Sequence, residues 1–292
     1  GWLQLLSEHH VPVDLVSCEH SDLSEYQALI VPASGQVGAA GAKALDAYVA
    51  GGGKLLLSGK MPEGLKSLGA PELSKTWPPR HSMYVRIRPE DKELLAVDGL
   101  QDFDLAHLRG DFHQYESAGG TQLLRLVHDV TYGPPEKCYI HSVSDIPALL
   151  LREHGDGSVA LLPFQIGAMY REWGNQSHTL LAIGTLAHLL QTERRLSVET
   201  SPLVEVTHRR APDGEFEWAA LFNHSGHLEN SFHPPIPISD VKLTLATDRP
   251  VKRVTSLTNG AELERTYSSD GQLETVLPRL DVFELVLFEY GQ

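Results

Sequence analysis

Histidine is the residue type that first suggests chemistry in this chain, because 15 of its 292 residues are histidines. The densest group, His224, His227 and His233, falls in a loop between two predicted strands. A zinc site needs four ligands at a characteristic spacing. Neither this group nor the pair Cys18 and His20 matches such a pattern. We therefore expect neither a metal nor another cofactor.

Aromatic side chains in loops are the second set of residues that could do chemistry. Tyr139, Tyr170 and Trp173 lie in or beside predicted loops. Loops often carry binding sites, and an aromatic face can stack on a sugar ring. These three residues are therefore our candidates for the rim of a substrate site. Partial burial beneath a loop is the alternative for each of them.

The elements that must position these side chains begin with an alternation of helices and strands. Apolar spacing predicts a helix over residues 2–9 and a strand over 11–16. A short apolar run over 26–32, a helix over 39–50 and a second apolar run over 54–57 follow. Strand, helix and strand joined by short links are typical of a parallel sheet.

The chain changes character beyond this region. Strands are predicted over 83–87 and 122–127, and a hairpin over 148–163 turns at an Asp-Gly pair. A helix follows, with Ser177 as its predicted N-cap. After Arg195 only short alternating strands with Gly, Pro and Asn turns remain. This pattern indicates a β-sandwich.

Composition and charge argue against several classes of function. The net charge of −14 repels polyanions, so we expect no nucleic-acid partner. No apolar run approaches the roughly 18 residues needed to cross a bilayer, so we expect no membrane span. Cys18 and Cys138 form no disulfide framework, which favours the cytoplasm. The first six residues already indicate a helix without a signal peptide, so we expect the chain to begin inside a fold.

Four sequence blocks occur in a recognisable order: EHHVPVDLV from Glu8, YQALIVP from Tyr26, LDAYVAGGGKLL from Leu45, and GSVALLPFQIG from Gly157 with Tyr170 beyond it. Together they resemble the trimerisation domain of family-42 β-galactosidases. The resemblance implies a flavodoxin-like α/β domain over 1–197, with a parallel sheet like that of class I glutamine amidotransferases. The rest of the chain, 198–292, resembles the small all-β sandwich domain that ends these enzymes.

The same resemblance implies a non-catalytic role. In the family this domain follows a catalytic (β/α)8 barrel, which alone takes roughly 250 residues, and an Asn-Glu pair carries the barrel's acid/base. No Asn-Glu dipeptide occurs in this chain. Ser58 occupies the vestigial nucleophile-elbow position of the amidotransferase-like turn. Phe164 and Gln165 stand where the amidotransferase histidine would follow the last strand, so a serine nucleophile lacks its base there.

These observations lead to one expected function and two alternatives. We expect the non-catalytic assembly portion of a β-galactosidase-like glycoside hydrolase of carbohydrate metabolism, inactive by itself. Its expected partners are further copies of the chain, as in a trimer, and an upstream catalytic barrel. One alternative is an independent amidotransferase-like hydrolase that uses Ser58. The other is a carbohydrate-binding module in the sandwich, against which Trp218 and Phe222 fall in the pattern of core positions.

The N-terminal helix supports self-association. One short helix carries more apolar side chains than a single buried stripe requires, namely Trp2, Leu3, Leu5 and Leu6. Apolar surface that its own domain does not cover tends to bind a partner. We therefore expect part of this helix to be exposed.

Overall fold

The computed structural model describes residues 1–19, 22–80, 83–116, 119–131, 133–192, 194–228 and 230–291. The chain forms two compact units. The first consists of Gly1–Trp2 and Leu15–Thr192, and the second of Leu3–Asp14 and Glu193–Gln292. The domain limits at 1–197 and 198–292 stay a prediction.

Five α-helices lie in the described residues: α1 Trp2–Glu8, α2 Ala39–Ala50, α3 Pro89–Leu95, α4 Ile166–Trp173 and α5 Gln176–Leu190. Short 3-10 helices cover Leu23–Glu25, Ser34–Gln36, Leu100–Asp102 and Pro135–Lys137. The predicted helix over 39–50 is confirmed. The N-cap of α5 is Asn175, so the prediction of Ser177 as the cap is wrong. No helix of the described chain is long and apolar enough to cross a bilayer.

The described part of the first unit contains eleven strands. They are β1 Ala28–Val31, β2 Lys54–Ser58, β3 Glu72–Trp77, β4 Met83–Arg86, β5 Leu105–Leu108, β6 Phe112–Glu116, β7 Thr121–Val127, β8 Asp129–Thr131, β9 Tyr139–Ser142, β10 Pro147–His154 and β11 Gly157–Leu162. Seven of them form one sheet in the order β1-β2-β11-β10-β7-β4-β5. The pairs β3–β6 and β8–β9 form separate ribbons.

The large sheet is mixed, not parallel. Strands β1, β2 and β11 run parallel, whereas β10, β7, β4 and β5 continue the sheet through antiparallel pairs. Strands make up 41% of the structure and helices 21%, so β-structure dominates. The predicted flavodoxin-like, amidotransferase-like parallel sheet is therefore wrong. Local apolar patterns located several strands, but such patterns do not encode the direction in which a strand pairs.

Helix α2 and the parallel strands share one apolar core. Leu45 and Val49 of α2 lie in the same buried cluster as Leu57 of β2 and Leu161 of β11. Every residue of β11 is buried. A strand covered on both faces needs a continuous apolar sequence, and this explains why β11 shows no alternation.

Residues 11–16 do not form the strand that their alternation predicts. The segment has no strand assignment, and five of its six residues are exposed. Pro12 cannot donate a ladder hydrogen bond. Alternation favours a strand only where a neighbouring strand bonds to its backbone, and no described strand pairs with this segment.

The described part of the second unit contains eleven further strands. They are β12 Leu196–Glu199, β13 Val204–Arg210, β14 Phe216–Asn223, β15 His227–Leu228, β16 Ser231–Phe232, β17 Ile238–Leu245, β18 Val251–Ser256, β19 Ala261–Glu262, β20 Arg265–Tyr267, β21 Leu273–Leu280 and β22 Phe283–Tyr290. One sheet has the order β12-β17-β21-β20, and the other has the order β13-β14-β22-β18-β19. Strands β15 and β16 form a hairpin.

The two antiparallel sheets of this unit enclose a common core. Leu221 from the five-stranded sheet and Leu243 and Leu277 from the four-stranded sheet lie in one buried cluster. Leu221 faces this core, and because side chains alternate along a strand, Trp218 and Phe222 face outward. Phe222 is exposed, so its prediction as a core residue is wrong.

Candidate functional site

Ser58 lies at the carboxyl end of β2, where the parallel strands of the first unit end. Its side chain is buried, and its hydroxyl donates a hydrogen bond to the carbonyl of Phe164 at 3.0 Å. The hydroxyl of Ser34, also buried, contacts the carbonyl oxygens of Ser58 at 3.1 Å and Lys60 at 2.7 Å. We call Ser34, Ser58 and Phe164 the closed edge, because their contacts shut this end of the sheet to solvent.

The turn after Ser58 has the backbone conformation of a tight elbow. Gly59 has a φ of +98°, which a side chain would strain, and an added Cβ would lie 2.8 Å from the amide nitrogen of Gln165. Gln165 thus packs where the sequence comparison placed a histidine. The tight turn is present in the backbone, but the hydroxyl of Ser58 is buried and bonded to the Phe164 carbonyl.

The backbone of His113 bonds beside this edge, but its ring bonds elsewhere. Its Nδ1 lies 3.1 Å from the hydroxyl of Thr76, and its backbone N–H donates to the carbonyl of Pro163 at 2.9 Å. Burial lowers the pKa of His113. Within the described residues no histidine hydrogen-bonds to Ser58. Among the residues that the structure describes, Ser58 therefore has no hydrogen-bonded base, and its side chain is shielded from solvent.

The three aromatic rim candidates have different environments. Tyr170 on α4 is buried, with 7% of its surface exposed. Trp173, at the end of the same helix, lies beneath the guanidinium of Arg109, 5.1 Å from the ring centre. Tyr139 is exposed on the β8–β9 ribbon, and its hydroxyl donates to the carbonyl of Glu136. Tyr139 and Trp173 therefore have accessible faces to different degrees, and a sugar-binding role for these residues stays a prediction.

The histidine group of the second unit is engaged with neighbouring side chains. Nε2 of His224 lies 3.1 Å from a carboxylate oxygen of Glu205, and the His227 ring stacks on Phe232 with ring centres 4.7 Å apart. Among the described residues, no three His, Cys, Asp or Glu side chains are placed to hold a metal ion.

These histidines border a patch of exposed apolar side chains that we call the aromatic end. Phe222 and Phe283 are cross-strand partners with ring centres 4.6 Å apart. Phe232 on the β15–β16 hairpin is 81% exposed. Backbone bonds join this region, since the N–H of His224 donates to the carbonyl of Leu203 and the N–H of Asn223 donates to the carbonyl of Val282. Exposed apolar side chains can mark a contact surface where they are contiguous, as the rings of Phe222 and Phe283 are.

A buried carboxylate near the opposite end of β14 was missed by sequence reasoning. Glu217 is fully buried, and it accepts hydrogen bonds from Arg195 at 2.5 Å and from the hydroxyl of Tyr290 at 2.6 Å. Nε2 of His208 lies 2.8 Å from its other oxygen. Burial alone would raise the pKa of Glu217, but the bonds from His208, Arg195 and Tyr290 outweigh it and hold the pKa well below its ordinary value. The sequence does contain a signal for this buried carboxylate, because Glu217 is an acidic residue at an inward position of the alternating strand β14.

A groove in the second unit combines the N-terminal segment with strand β13. It has a volume of about 340 Å³. Its walls are Leu3 and Ser7 of α1, residues 11–13, and Glu205, Thr207 and Arg209 of β13. We call this feature the N-terminal groove. Leu3 is 50% exposed and Val13 is 39% exposed, whereas Trp2, Leu5 and Leu6 are buried. The expectation of apolar exposure on α1 therefore holds for one of its four side chains.

The comparison with protein families concerns the first part of the chain. The family described as the β-galactosidase trimerisation domain matches residues 1–61. This confirms the predicted resemblance. The matching segment contains Leu3 and residues 11–13, so it contributes one wall of the N-terminal groove. A comparison with curated proteins finds no match.

Solved structures of glycosidases share the fold of this chain. The chain superimposes on α-L-fucosidase isoenzyme 2 from Paenibacillus thiaminolyticus with a TM-score of 0.76 at 21% identity, covering 100% of this chain and 44% of that one. A catalytic mutant of a GH42 β-galactosidase from G. stearothermophilus gives 0.59 at 18% identity, covering 99% and 35%. The β-galactosidase from Bacillus circulans sp. alkalophilus gives 0.61 at 16% identity, covering 98% and 36%.

The chain spans less than half the length of each of these enzymes. At these identities the likeness establishes a shared fold. The predicted likeness to glutamine amidotransferases is not supported, because the matching family and the similar structures named here are of glycosidases.

Proposed function

We propose that this chain is the non-catalytic assembly portion of a glycoside hydrolase, and that it holds copies of the enzyme together. The match of residues 1–61 to a trimerisation domain carries the proposal. The similarity of the whole chain to less than half of a fucosidase and of β-galactosidases supports it. In this proposal the catalytic barrel is a separate part of the parent polypeptide.

The geometry of the two units agrees with an assembly role. The position that would carry a nucleophile, Ser58, is buried and bonded to Phe164. Exposed apolar side chains are instead found in the N-terminal groove and at the aromatic end. Surfaces of this kind bind partners more readily than they catalyse reactions.

Sedimentation equilibrium of the purified chain tests the proposal. We expect a particle of about three times the 32.1 kDa formula mass at micromolar concentration, which dissociates on dilution. We also expect no hydrolysis of nitrophenyl galactosides, glucosides or fucosides. A monomer at every concentration would contradict the assembly role. Turnover that persists through repurification and disappears when one carboxylate is substituted would contradict the non-catalytic role.

One observation favours carbohydrate binding as a second candidate function. The aromatic end exposes Phe222, Phe232 and Phe283 beside polar groups of the sandwich. Aromatic faces beside hydrogen-bonding groups are a common design for ligand contact. Titration calorimetry with oligosaccharides would show saturable heat that Phe222→Ala removes. The absence of heat with galactosyl, glucosyl and fucosyl oligosaccharides at millimolar concentration would reject this candidate.

We also propose the cytoplasm as the compartment of the parent protein. Cys18 and Cys138 are both free, and Cys138 is exposed. An exposed free thiol is stable in a reducing compartment. Localisation of the full-length parent by fractionation tests this.

A further inference from the structure

We propose that the N-terminal groove is the surface on which a second copy of this chain docks. The inference rests on the proposed assembly function and names the surface that performs it. The occupant is the neighbouring copy of this chain, which covers the exposed side chains of Leu3 and Val13. Three observations support it: the position of the groove in the family match, its rigid support, and the chemistry of its walls.

One wall of the groove is formed by the part of the chain that matches a trimerisation domain. Among the described residues of 1–61, the exposed large apolar side chains are Leu3, Val13, Leu15 and Val16. Leu3 and Val13 line the groove, whereas Leu15 and Val16 belong to the first unit. In the segment that matches the trimerisation domain, the exposed large apolar side chains thus all lie within the first 16 described residues.

The wall of the groove is fixed before any partner binds. The two ring nitrogens of His10 each lie 3.2 Å from a backbone carbonyl, those of Val198 and Ser201. Arg194 donates to the carbonyl of His9 at 2.8 Å. These bonds tie the chain after α1 to the sandwich. A surface ordered in advance loses little conformational entropy on association, so each buried apolar group contributes more to affinity.

The walls of the groove combine an apolar strip with charged ends. Leu3 and residues 11–13 give the apolar strip, and Glu205 and Arg209 lie on the side formed by β13. Arg209 is paired with Asp14 at 2.9 Å. An apolar centre with a polar rim is the composition of a protein–protein interface. The exposed charges at the rim favour a partner with a matching polar border.

A closed ring of three copies places a condition on this surface. In a cyclic trimer each contact joins two different faces, so the groove of one copy receives a separate face of the next. A copy with a damaged groove keeps its other face intact. Such a copy can still bind to one wild-type neighbour, but it cannot close the ring.

The test uses the whole chain and four single substitutions. Leu3→Asp and Val13→Asp place a charge in the groove. Leu73→Asp and Val143→Asp, at exposed positions of the same residue types in the first unit, are the matched controls. We expect the groove variants to raise the trimer dissociation concentration at least tenfold in sedimentation experiments, and the controls to leave it unchanged. Circular dichroism and thermal unfolding confirm that all four variants are folded.

The outcomes separate this inference from the proposed function. A wild-type monomer overturns both. If the wild type is an oligomer and both groove variants form the same oligomer, the groove is not the docking surface, and the assembly function is unaffected. If groove and control variants weaken the oligomer equally, the groove is again not the docking surface, because the effect would not depend on the position of the substitution.

Mixing and hydrogen exchange give a second, independent readout. Leu3→Asp chains added in excess to wild-type trimers are expected to convert them into smaller, mixed species. Amide exchange of Val11, Val13 and Asp14 in the wild type is expected to slow as concentration rises. Exchange at these amides that is independent of concentration across the dissociation range would overturn the proposal.

Discussion

The closed edge of the first unit buries its side chains, whereas the N-terminal groove of the second unit leaves apolar side chains exposed. At the closed edge, Ser58 and Phe164 are buried and bonded to each other. In the groove, Leu3 and Val13 remain half exposed although the chain around them is fixed. The comparison shows that a position suited to chemistry by sequence can serve packing, while ordinary apolar residues line the proposed contact surface.

The largest expected effect comes from removing the ring that fills the closed edge. Phe164 is fully buried, and its ring stacks beside that of Phe112 at 6.2 Å. We expect Phe164→Ala to lower the free energy of unfolding of the first unit by about 3–5 kcal/mol, because the substitution leaves a cavity. Urea unfolding followed by fluorescence measures this. A loss below about 1 kcal/mol would show that the edge is not closed.

Substitution of Glu217, the buried carboxylate of the second unit, should lower the free energy of unfolding by a comparable amount, and this loss should depend on pH. Glu217→Gln removes the charge that Arg195 and His208 face, and breaking one side of a buried charged pair costs about 3 kcal/mol or more. The exposed pair Arg253 and Glu289 gives the control, since Glu289→Gln should cost less than about 1 kcal/mol.

The sign of the pH dependence follows from the lowered pKa of Glu217. Its stabilisation is fully present above the pKa of an unfolded glutamate and is lost as the pH falls toward the lower folded value. Wild-type stability should therefore decline from about pH 5 downward. The Glu217→Gln variant should show a shallower decline in the same acid unfolding series. Parallel curves would mean that Glu217 is not the group that titrates.

A smaller effect is expected from Ser58→Ala. The substitution removes one buried hydrogen bond, which is worth about 1 kcal/mol, and leaves the Phe164 carbonyl without that donor. The assembled state should be unchanged by sedimentation. If instead the variant lost a measurable hydrolytic activity of the wild type, Ser58 would have a catalytic role and the contrast between the two sites would fail.

The smallest expected effect on stability is that of Leu3→Ala in the groove. Its side chain is half exposed, so the free energy of unfolding of the dissociated chain should change by less than about 0.5 kcal/mol. Unfolding at a concentration below dissociation measures this value. A loss as large as that of Phe164→Ala would place Leu3 in the core and remove the distinction between groove and closed edge.

Sequence reasoning located several elements and missed how they are connected. The helix over 39–50 and the strands at 54–57 and 122–127 were predicted from apolar spacing and are present as α2, β2 and β7. The direction of pairing was not predictable, because antiparallel β7 and β10 carry the same apolar character as parallel β11. Direction depends on long connections that no local pattern records.

The candidate sites divide in the same way. Glycine after Ser58 signalled a tight turn, and Gly59 has the expected positive φ. The burial of the Ser58 hydroxyl depends on Phe164, more than 100 residues later in the chain, so the sequence around Ser58 could not reveal it. The exposure of Leu3 was foreseen only as an excess of apolar residues on α1. Which of the four would be exposed depends on contacts with residues distant in the sequence, such as that of Trp2 with Gly167.

The mixed sheet of the first unit has a consequence for the order of folding. Strands β10 and β11 form a local hairpin, whereas the parallel pairing of β11 with β2 closes a loop of roughly 100 residues. Contacts between distant parts of the chain form slowly because the entropy of closure must be overcome first. We expect the β10–β11 hairpin to acquire its backbone bonds early and the β11–β2 pairing late. Pulse-labelled hydrogen exchange during refolding should protect the amides that join β10 to β11 before those that join β11 to β2, and simultaneous protection would contradict this order.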